Sequence, residues 1–185
     1  MASAGGIPAL VELLRARSHP LSFPLFIMQH LSRDAPSILP QVLRWHSGCN
    51  VDWAEHGQQP RASRAYVCPP GHRMRIGSEG FELWKLPSAS RSWLSCPDLL
   101  FQDVAARYQA GAVGMVLSGM LPVALEGLRA IRSQGGITIA QSKRSTSHFE
   151  MPSGAIDFAK VDLVLSPTRI ADALFAFDNA GITSA

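Results

Sequence analysis

The feature that most constrains the fold is the alternation of short apolar runs with stretches of helical periodicity. The clearest apolar runs are Pro24–Met28, Ala112–Leu117, Ile137–Ala140 and Val161–Leu165. The first two of these predict buried strands of a parallel sheet, and the other two, which include Thr138 and Asp162, predict further strands. Helical segments between them predict crossover connections. We therefore predict an α/β protein with a doubly wound, mainly parallel sheet and helices on both faces.

The predicted helices each carry an apolar stripe at helical spacing. They are expected at Ile7–Arg15, Ile38–Trp45, Pro97–Tyr108, Pro122–Arg132, Ser153–Ala159 and Thr168–Phe177. Pro40 is expected to interrupt the second of them. Ala65–Cys68 predicts another short strand, and Met74–Ile76 with Phe81–Leu83 predicts a small surface hairpin around the turn at 77–80.

The composition is that of a single globular domain spanning 1–185. Apolar residues make up 46% of the 185 residues and charged residues 17%, which provides a core and disfavours disorder. The net charge of +3 is spread along the chain, so no basic surface for nucleic acid is expected. The apolar runs are shorter than the roughly 20 residues of a membrane span, and no signal peptide is recognised. We expect a cytoplasmic protein without membrane insertion.

Cys49, Cys68 and Cys96 are odd in number and lie far apart in the sequence. They form no Cys-x-x-Cys pair and no cluster with histidine at the spacing of a zinc site. We expect reduced thiols, no metal and no cofactor.

Functional residues of a doubly wound sheet are expected where its strands end. Ligands and reacting groups of such folds lie beyond the carboxyl ends of the strands. This rule selects His30 after the run ending at Met28, Gly119 and Met120 after Leu117, and Gln141 after Ala140.

Ser3 begins a Ser-x-Gly-Gly stretch directly before a predicted helix. A serine followed by a small residue and a glycine fits a tight strand-to-helix turn, as in a nucleophile elbow, and the helix N–H groups can hold an oxyanion. The same stretch also fits a plain helix cap. His30 is a candidate base for the serine proton, or a structural histidine. The other histidines fall mainly in predicted loops and are expected to be mostly solvated: His19, His46, His56, His72 and His148.

Several short motifs together carry a resemblance to a known family. They are Ser3-Ala4-Gly5-Gly6, Phe26-Ile27-Met28-Gln29-His30, Ala65-Tyr66-Val67-Cys68-Pro69-Pro70-Gly71-His72, Leu117-Ser118-Gly119-Met120, Gly136-Ile137-Thr138-Ile139-Ala140-Gln141, and Met151-Pro152 with Val161-Asp162-Leu163-Val164-Leu165. In this order they resemble the catalytic domain of the chemotaxis protein-glutamate methylesterases (CheB-type). The resemblance covers nearly the whole chain.

The resemblance implies a function and a set of site residues. The implied activity is hydrolysis of glutamate methyl esters on methyl-accepting chemotaxis receptors, which releases methanol. By position, Ser3 is the implied nucleophile and His30 the implied general base. Ala4 and Met120 are implied to line the site close to the oxyanion region.

The chain departs from the family pattern at the third member of the triad. The family continues Gly-Met with Gly-x-Asp-Gly, whereas Val123 stands here at the aspartate position. Valine cannot accept the imidazole N–H or stabilise an imidazolium. Glu126 lies about one helical turn further and is the alternative carboxylate. The resemblance therefore leaves two hypotheses open: an esterase with a Ser–His pair, and an inactive pseudo-esterase that binds receptors or signalling partners.

Further departures concern the ends of the catalytic domain. The family has an Arg-Pro-Ser stretch where this chain has Leu94-Ser95-Cys96, so a substrate-side contact is expected to be lost. The family's first strand and its receiver domain have no counterpart before Met1. From this we expect that the true translation start lies upstream of Met1. We also expect that the strands beside the missing one have unpaired backbone groups, and that Ser3 lies on a frayed terminus. We also expect any receiver to be a separate protein.

Overall fold

The strands form a mainly parallel α/β architecture. A computed structural model describes residues 1–16, 20–87 and 91–183. Its strands are β1 (Leu25–Ile27), β2 (Asn50–Trp53), β3 (Arg64–Val67), β4 (His72–Gly77), β5 (Gly80–Lys85), β6 (Val113–Val116), β7 (Ile137–Gln141) and β8 (Leu163–Leu165). Strands β2, β3 and β1 form one parallel sheet in the order β1-β3-β2, and β6, β7 and β8 form another in sequence order.

The N-terminal residues join the two parallel sheets. The Ala2 N–H donates to the Met28 carbonyl at 2.9 Å, and the His30 N–H donates to the Ala2 carbonyl at 3.1 Å. On the other side, the Leu117 N–H donates to the Met1 carbonyl at 2.9 Å. These bonds align Met1 and Ala2 parallel to both sheets, between β1 and β6. The whole arrangement reads β2-β3-β1, then the N-terminus, then β6-β7-β8.

Helices cover both faces, as predicted. They are α1 (Gly6–Arg15), α2 (Leu39–Ser47), α3 (Cys96–Tyr108), α4 (Leu125–Ser133), α5 (Glu150–Gly154) and α6 (Pro167–Asn179). Helices α1, α2 and α6 bury one apolar cluster against the sheets, while α3, α4 and α5 bury a second cluster on the opposite face. The strands supply both clusters because their side chains alternate between faces.

The antiparallel hairpin of β4 and β5 lies on the α3 side. Arg75 of β4 donates from Nε to the Asp103 carboxylate of α3 at 2.6 Å, and the Ile76 N–H donates to the same carboxylate at 3.0 Å. The predicted hairpin is therefore confirmed, and a partly buried carboxylate ties it to the domain.

Several elements differ from the prediction, and α4 begins at Leu125 rather than Pro122. Pro40 does not interrupt α2 but occupies its first turn, where a missing N–H costs nothing. Strand β2 was not predicted, because Asn50 and Asp52 break its apolar pattern. The segment predicted as a helix from Ser153 begins earlier, at Glu150, and continues as a π-helical turn over Ala155–Ala159.

A slot opens between the amino-terminal parts of β1 and β6. Within the described residues, β1 pairs only with β3 and β6 pairs only with β7, so the two facing edges lack a neighbouring strand beyond Met1. Apolar residues of both faces line the slot, among them Phe26, Phe101, Met115 and Leu174. The unpaired strand edges expected from the sequence are therefore present.

Ser3 is not on a frayed terminus, and this expectation was wrong. The Ser3 N–H donates to the Ser118 carbonyl at 2.9 Å, and Ala2 is almost fully buried. The amine of Met1 is buried too and donates to the Met115 carbonyl at 2.7 Å. Backbone pairing on both sides holds these three residues in place.

Raising the pH from 5 to 8 is expected to stabilise the protein through the Met1 amine. Burial lowers the pKa of this amine from 8.0 to about 5. Between these values the unfolded chain binds a proton that the folded chain does not, so the free energy of unfolding increases with pH by up to about 4 kcal/mol. Calorimetry across this pH range checks the effect. N-acetylated protein is the control, and equal pH slopes for both forms would contradict the prediction.

Candidate active site

Two glycines allow the tight turn that presents Ser3. Gly5 has a φ of +70°, and a Cβ there would lie 2.1 Å from the Ser147 hydroxyl oxygen. A Cβ on Gly6 would lie 2.6 Å from Oε1 of Gln29. Helix α1 begins at Gly6, whose N–H donates to the Ser3 carbonyl at 2.8 Å. The chain thus passes from sheet to helix directly after Ser3, as the elbow interpretation requires.

Gln29 connects the backbones of Ser3 and His30. Its side-chain amide donates to the Ser3 carbonyl at 2.9 Å and to the His30 carbonyl at 3.1 Å, and the side chain is only 8% exposed. His30 follows β1 at the carboxyl edge of the sheet, as predicted. Gln29 is a site residue that sequence reasoning missed, and its position beside His30 at a strand end was the available signal.

One cleft of about 560 Å³ brings the predicted site residues together. Its lining consists of Met1, Ser3, Ala4, Gln29, His30, Trp93, Met120, Leu121, Val123 and Met151. We call it the Ser3 cleft. Ser3, His30, Val123, Ala4 and Met120 therefore all line one surface, although they come from three separate segments of the chain. Met120 and Leu121 are exposed at its rim.

The His30 ring has an aromatic neighbour, and none of the described residues that line its two clefts is acidic. Its ring stacks on Trp93, with centroids 4.3 Å apart and planes at 3°. In the described part of the chain, no hydrogen bond joins the ring to a side chain, the Ser3 hydroxyl included. Val123 is 8% exposed and apolar. Glu126, the alternative carboxylate, is exposed and pairs with Arg129, and it does not line the Ser3 cleft.

A hydrogen-bonded floor supports the turn before Met120. The Ser118 N–H donates to Oε1 of Gln141 at 2.8 Å, and the Gly119 N–H donates to the His148 carbonyl at 3.0 Å. Gln141 lies at the carboxyl end of β7, as predicted. It is 1% exposed, and its side chain supports the turn from inside the protein. The Ser118 hydroxyl donates to the Ala4 carbonyl at 2.7 Å and so ties the floor to the elbow.

Not all of the remaining histidines are solvated. His148 is half-buried beside Gly5, whereas His46 and His56 are exposed. His72 is half-buried in β4, and its Nδ1 lies 2.9 Å from the Pro70 carbonyl oxygen. The His56 ring nitrogen accepts from the Leu83 N–H at 3.2 Å. His19 lies outside the described residues.

The thiols near the cleft are poor nucleophiles. Burial raises the pKa of Cys68 to about 12, with the neighbouring Cys96 thiol as a second cause. Burial also raises the pKa of Cys96. Only a thiolate attacks or binds metal readily, so neither thiol is well suited to react. The described residues contain no group of three or more acidic, histidine or cysteine side chains arranged for a metal ion.

The fold and the cleft define a class: a doubly wound α/β protein with a serine and a histidine at the carboxyl edge of the sheet. A family model described as CheB methylesterase matches residues 1–174. The chain therefore belongs to the CheB methylesterase family of chemotaxis hydrolases, and the resemblance stated from the motifs is confirmed.

Similar proteins agree with this family. A protein-glutamate methylesterase/protein-glutamine glutaminase 2 of Anaeromyxobacter dehalogenans is 32% identical over 94% of this chain, which covers 50% of that protein. A putative protein of the same type from Leptospira interrogans is 26% identical, with coverage of 95% of this chain and 91% of that protein. The crystal structure of the Thermotoga maritima CheB methylesterase catalytic domain has a TM-score of 0.85 at 21% identity, covering 95% of both chains. This likeness confirms the fold.

The match covers only part of the longer relatives. The chain spans about half the length of several curated relatives, including those from Anaeromyxobacter dehalogenans and Pseudomonas fluorescens.

Across the described ranges, no helix combines the length and apolar character that a membrane crossing requires.

Proposed function

We propose that this chain hydrolyses glutamate methyl esters on methyl-accepting chemotaxis receptors in the cytoplasm, with Ser3 as nucleophile and His30 as general base. The observation that carries the proposal is the convergence of Ser3, His30, Ala4 and Met120 on one cleft at the carboxyl edge of the sheet. Family membership supplies the reaction class. A separate receiver protein is the proposed regulatory partner, and the reaction calls for no cofactor.

The proposed chemistry proceeds in two halves. His30 accepts the proton of the Ser3 hydroxyl as its oxygen attacks the ester carbonyl, and the imidazolium then gives that proton to the departing methoxide, which leaves as methanol. Water, deprotonated by His30, then attacks the acyl-enzyme and releases the receptor glutamate and Ser3. The backbone N–H groups of Ala4 and Met120 are the proposed oxyanion donors. Neither donates a backbone hydrogen bond among the described residues.

Replacing Ser3 by alanine is expected to abolish methanol release from methylated receptor. A triad-type site without its nucleophile loses several orders of magnitude in rate, roughly 10³-fold or more. Release of labelled methanol from receptor-containing membranes measures this loss. Ser133→Ala is the matched control, because the Ser133 hydroxyl is exposed on α4 and donates only to the Ala130 carbonyl. Full activity in the Ser3→Ala variant would refute the proposed nucleophile.

A second candidate function is a pseudo-esterase that binds receptors or signalling proteins through the same surface. The observation that favours it is Val123 at the position of the expected carboxylate, with no acidic side chain lining the Ser3 cleft. The same assay separates the two functions. A wild-type protein that binds receptor in sedimentation experiments but releases no methanol supports the second one.

A further inference from the structure

The indole of Trp93 covers one face of the His30 ring. The two rings are parallel within 3° and their centroids are 4.3 Å apart. Offset stacking of aromatic rings occurs at centroid separations from about 4.5 Å, so this pair is in full contact. Trp93 and His30 line the Ser3 cleft and also share the neighbouring cleft that reaches Cys68.

Among the described side chains near His30, Trp93 is the one that stacks on the imidazole. Val123 offers no acceptor, and Glu126 is engaged with Arg129. Gln29 holds the backbone of His30 but donates to its carbonyl, not to its ring. The His30 side chain is exposed, and its ring contact among the described residues is the indole of Trp93.

The position of Trp93 is itself well supported. It lies in a 3₁₀ turn, Arg91–Ser95, that runs directly into α3. The next residue, Leu94, packs against the core cluster of the α3 face, and Cys96 and Pro97 are buried at the start of α3. The indole is therefore attached to a rigid helix start on one side of the Ser3 cleft.

We propose that Trp93 is the positioning residue for His30 and replaces part of the function of a triad carboxylate. This inference rests on the proposed function. A carboxylate orients the imidazole, selects its tautomer and stabilises the imidazolium. A stacked indole orients the imidazole by contact and stabilises the imidazolium by a cation–π interaction. It cannot select the tautomer, because its π face does not accept the in-plane N–H.

The test compares Trp93→Leu, Trp93→Phe and the control Trp45→Leu. Trp45 is 77% exposed on α2 and does not line the cleft. Trp93→Leu is expected to lower kcat for methanol release about 3- to 30-fold with KM unchanged, the range that a cation–π contact provides. Trp93→Phe is expected to restore most of the rate. In a Val123→Asp background the loss is expected to shrink, because the carboxylate then orients the ring.

A second measurement does not depend on activity. The indole ring current is expected to shift the His30 ring protons upfield in NMR spectra, and Trp93→Leu to remove this shift while Trp45→Leu keeps it. An active wild type with an unchanged kcat in Trp93→Leu overturns the positioning role alone. Absence of the upfield shift overturns the stack. A wild type that shows the shift but releases no methanol overturns the proposed function, and the catalytic role of Trp93 with it.

Discussion

Replacing Val123 by aspartate is expected to raise kcat for methanol release by up to about 10⁴-fold. In serine proteases the exchange of the triad aspartate for its amide costs about this factor, and the resemblance assigns the aspartate position to Val123. The side chain at 123 lines the same cleft as Ser3 and His30. A new carboxylate there is expected to accept the His30 N–H and stabilise the imidazolium.

The Val123→Asp experiment needs a control for burial. Val123 is 8% exposed, so a charged side chain there costs stability, on the order of 1–3 kcal/mol. Val123→Asn introduces a side chain of the same shape as aspartate but without charge. It is expected to give much less activity than Val123→Asp. Thermal melts of both variants show whether they are folded at the assay temperature. A folded Val123→Asp protein no faster than wild type would contradict the assignment of position 123.

An apolar strand attached before Met1 is expected to raise the melting temperature by about 5–10 °C. The slot between β1 and β6 offers two unpaired parallel edges and an apolar lining. Each buried Val or Ile contributes about 1.5–3 kcal/mol against about 1–2 kcal/mol of backbone ordering, and the buried amine of Met1 becomes an uncharged amide. A gain of a few kcal/mol in the free energy of unfolding raises the melting temperature of a domain of this size by roughly 2–4 °C per kcal/mol.

A Val-Ile-Val-Ile extension and a Ser-Asn-Ser-Asn extension of equal length form the matched pair. Calorimetry measures the melting temperature, and hydrogen exchange locates the new pairing. Alternate residues of a strand present their backbone groups to one edge, and the bonds of Met28 and Met115 to the N-terminus identify that edge. Protection is therefore expected at the Phe26, Met28 and Met115 amides. Equal melting temperatures for the two extensions would show that the slot does not accept a strand.

Local patterns were enough to predict most of the fold. The apolar runs at β1, β6, β7 and β8 are confirmed as parallel strands. Burial leaves a largely apolar signature in the first three, whereas β8 is an edge strand in which Val164 is 45% exposed. Strand β2 was missed, since it lies at the outer edge of its sheet and tolerates Asn50 and Asp52. Pro40 was misjudged because a proline interrupts a helix only beyond its first turn.

The candidate site was only partly predictable. Ser3 and His30 were found because they stand at the ends of apolar segments and match family motifs, and their catalytic roles stay predictions. Trp93 was not selected, because ring stacking leaves no mark on sequence spacing. Gln29 was not selected either, although its position beside His30 at a strand end was an available signal. The partial burial of His148 was equally hidden in the sequence, because it depends on the distant turn at Gly5.

The sequence by itself determined the fold class, the family and the residues that stand at the carboxyl ends of the strands, because strand burial and motif order are properties of short segments. Only the tertiary structure decided that Met1 and Ala2 close the gap between two sheets, that Ser3 is held there, and that Trp93 covers His30. These features depend on hydrogen bonds and contacts between residues far apart in the chain. Their geometry follows from how the sheets and helices pack.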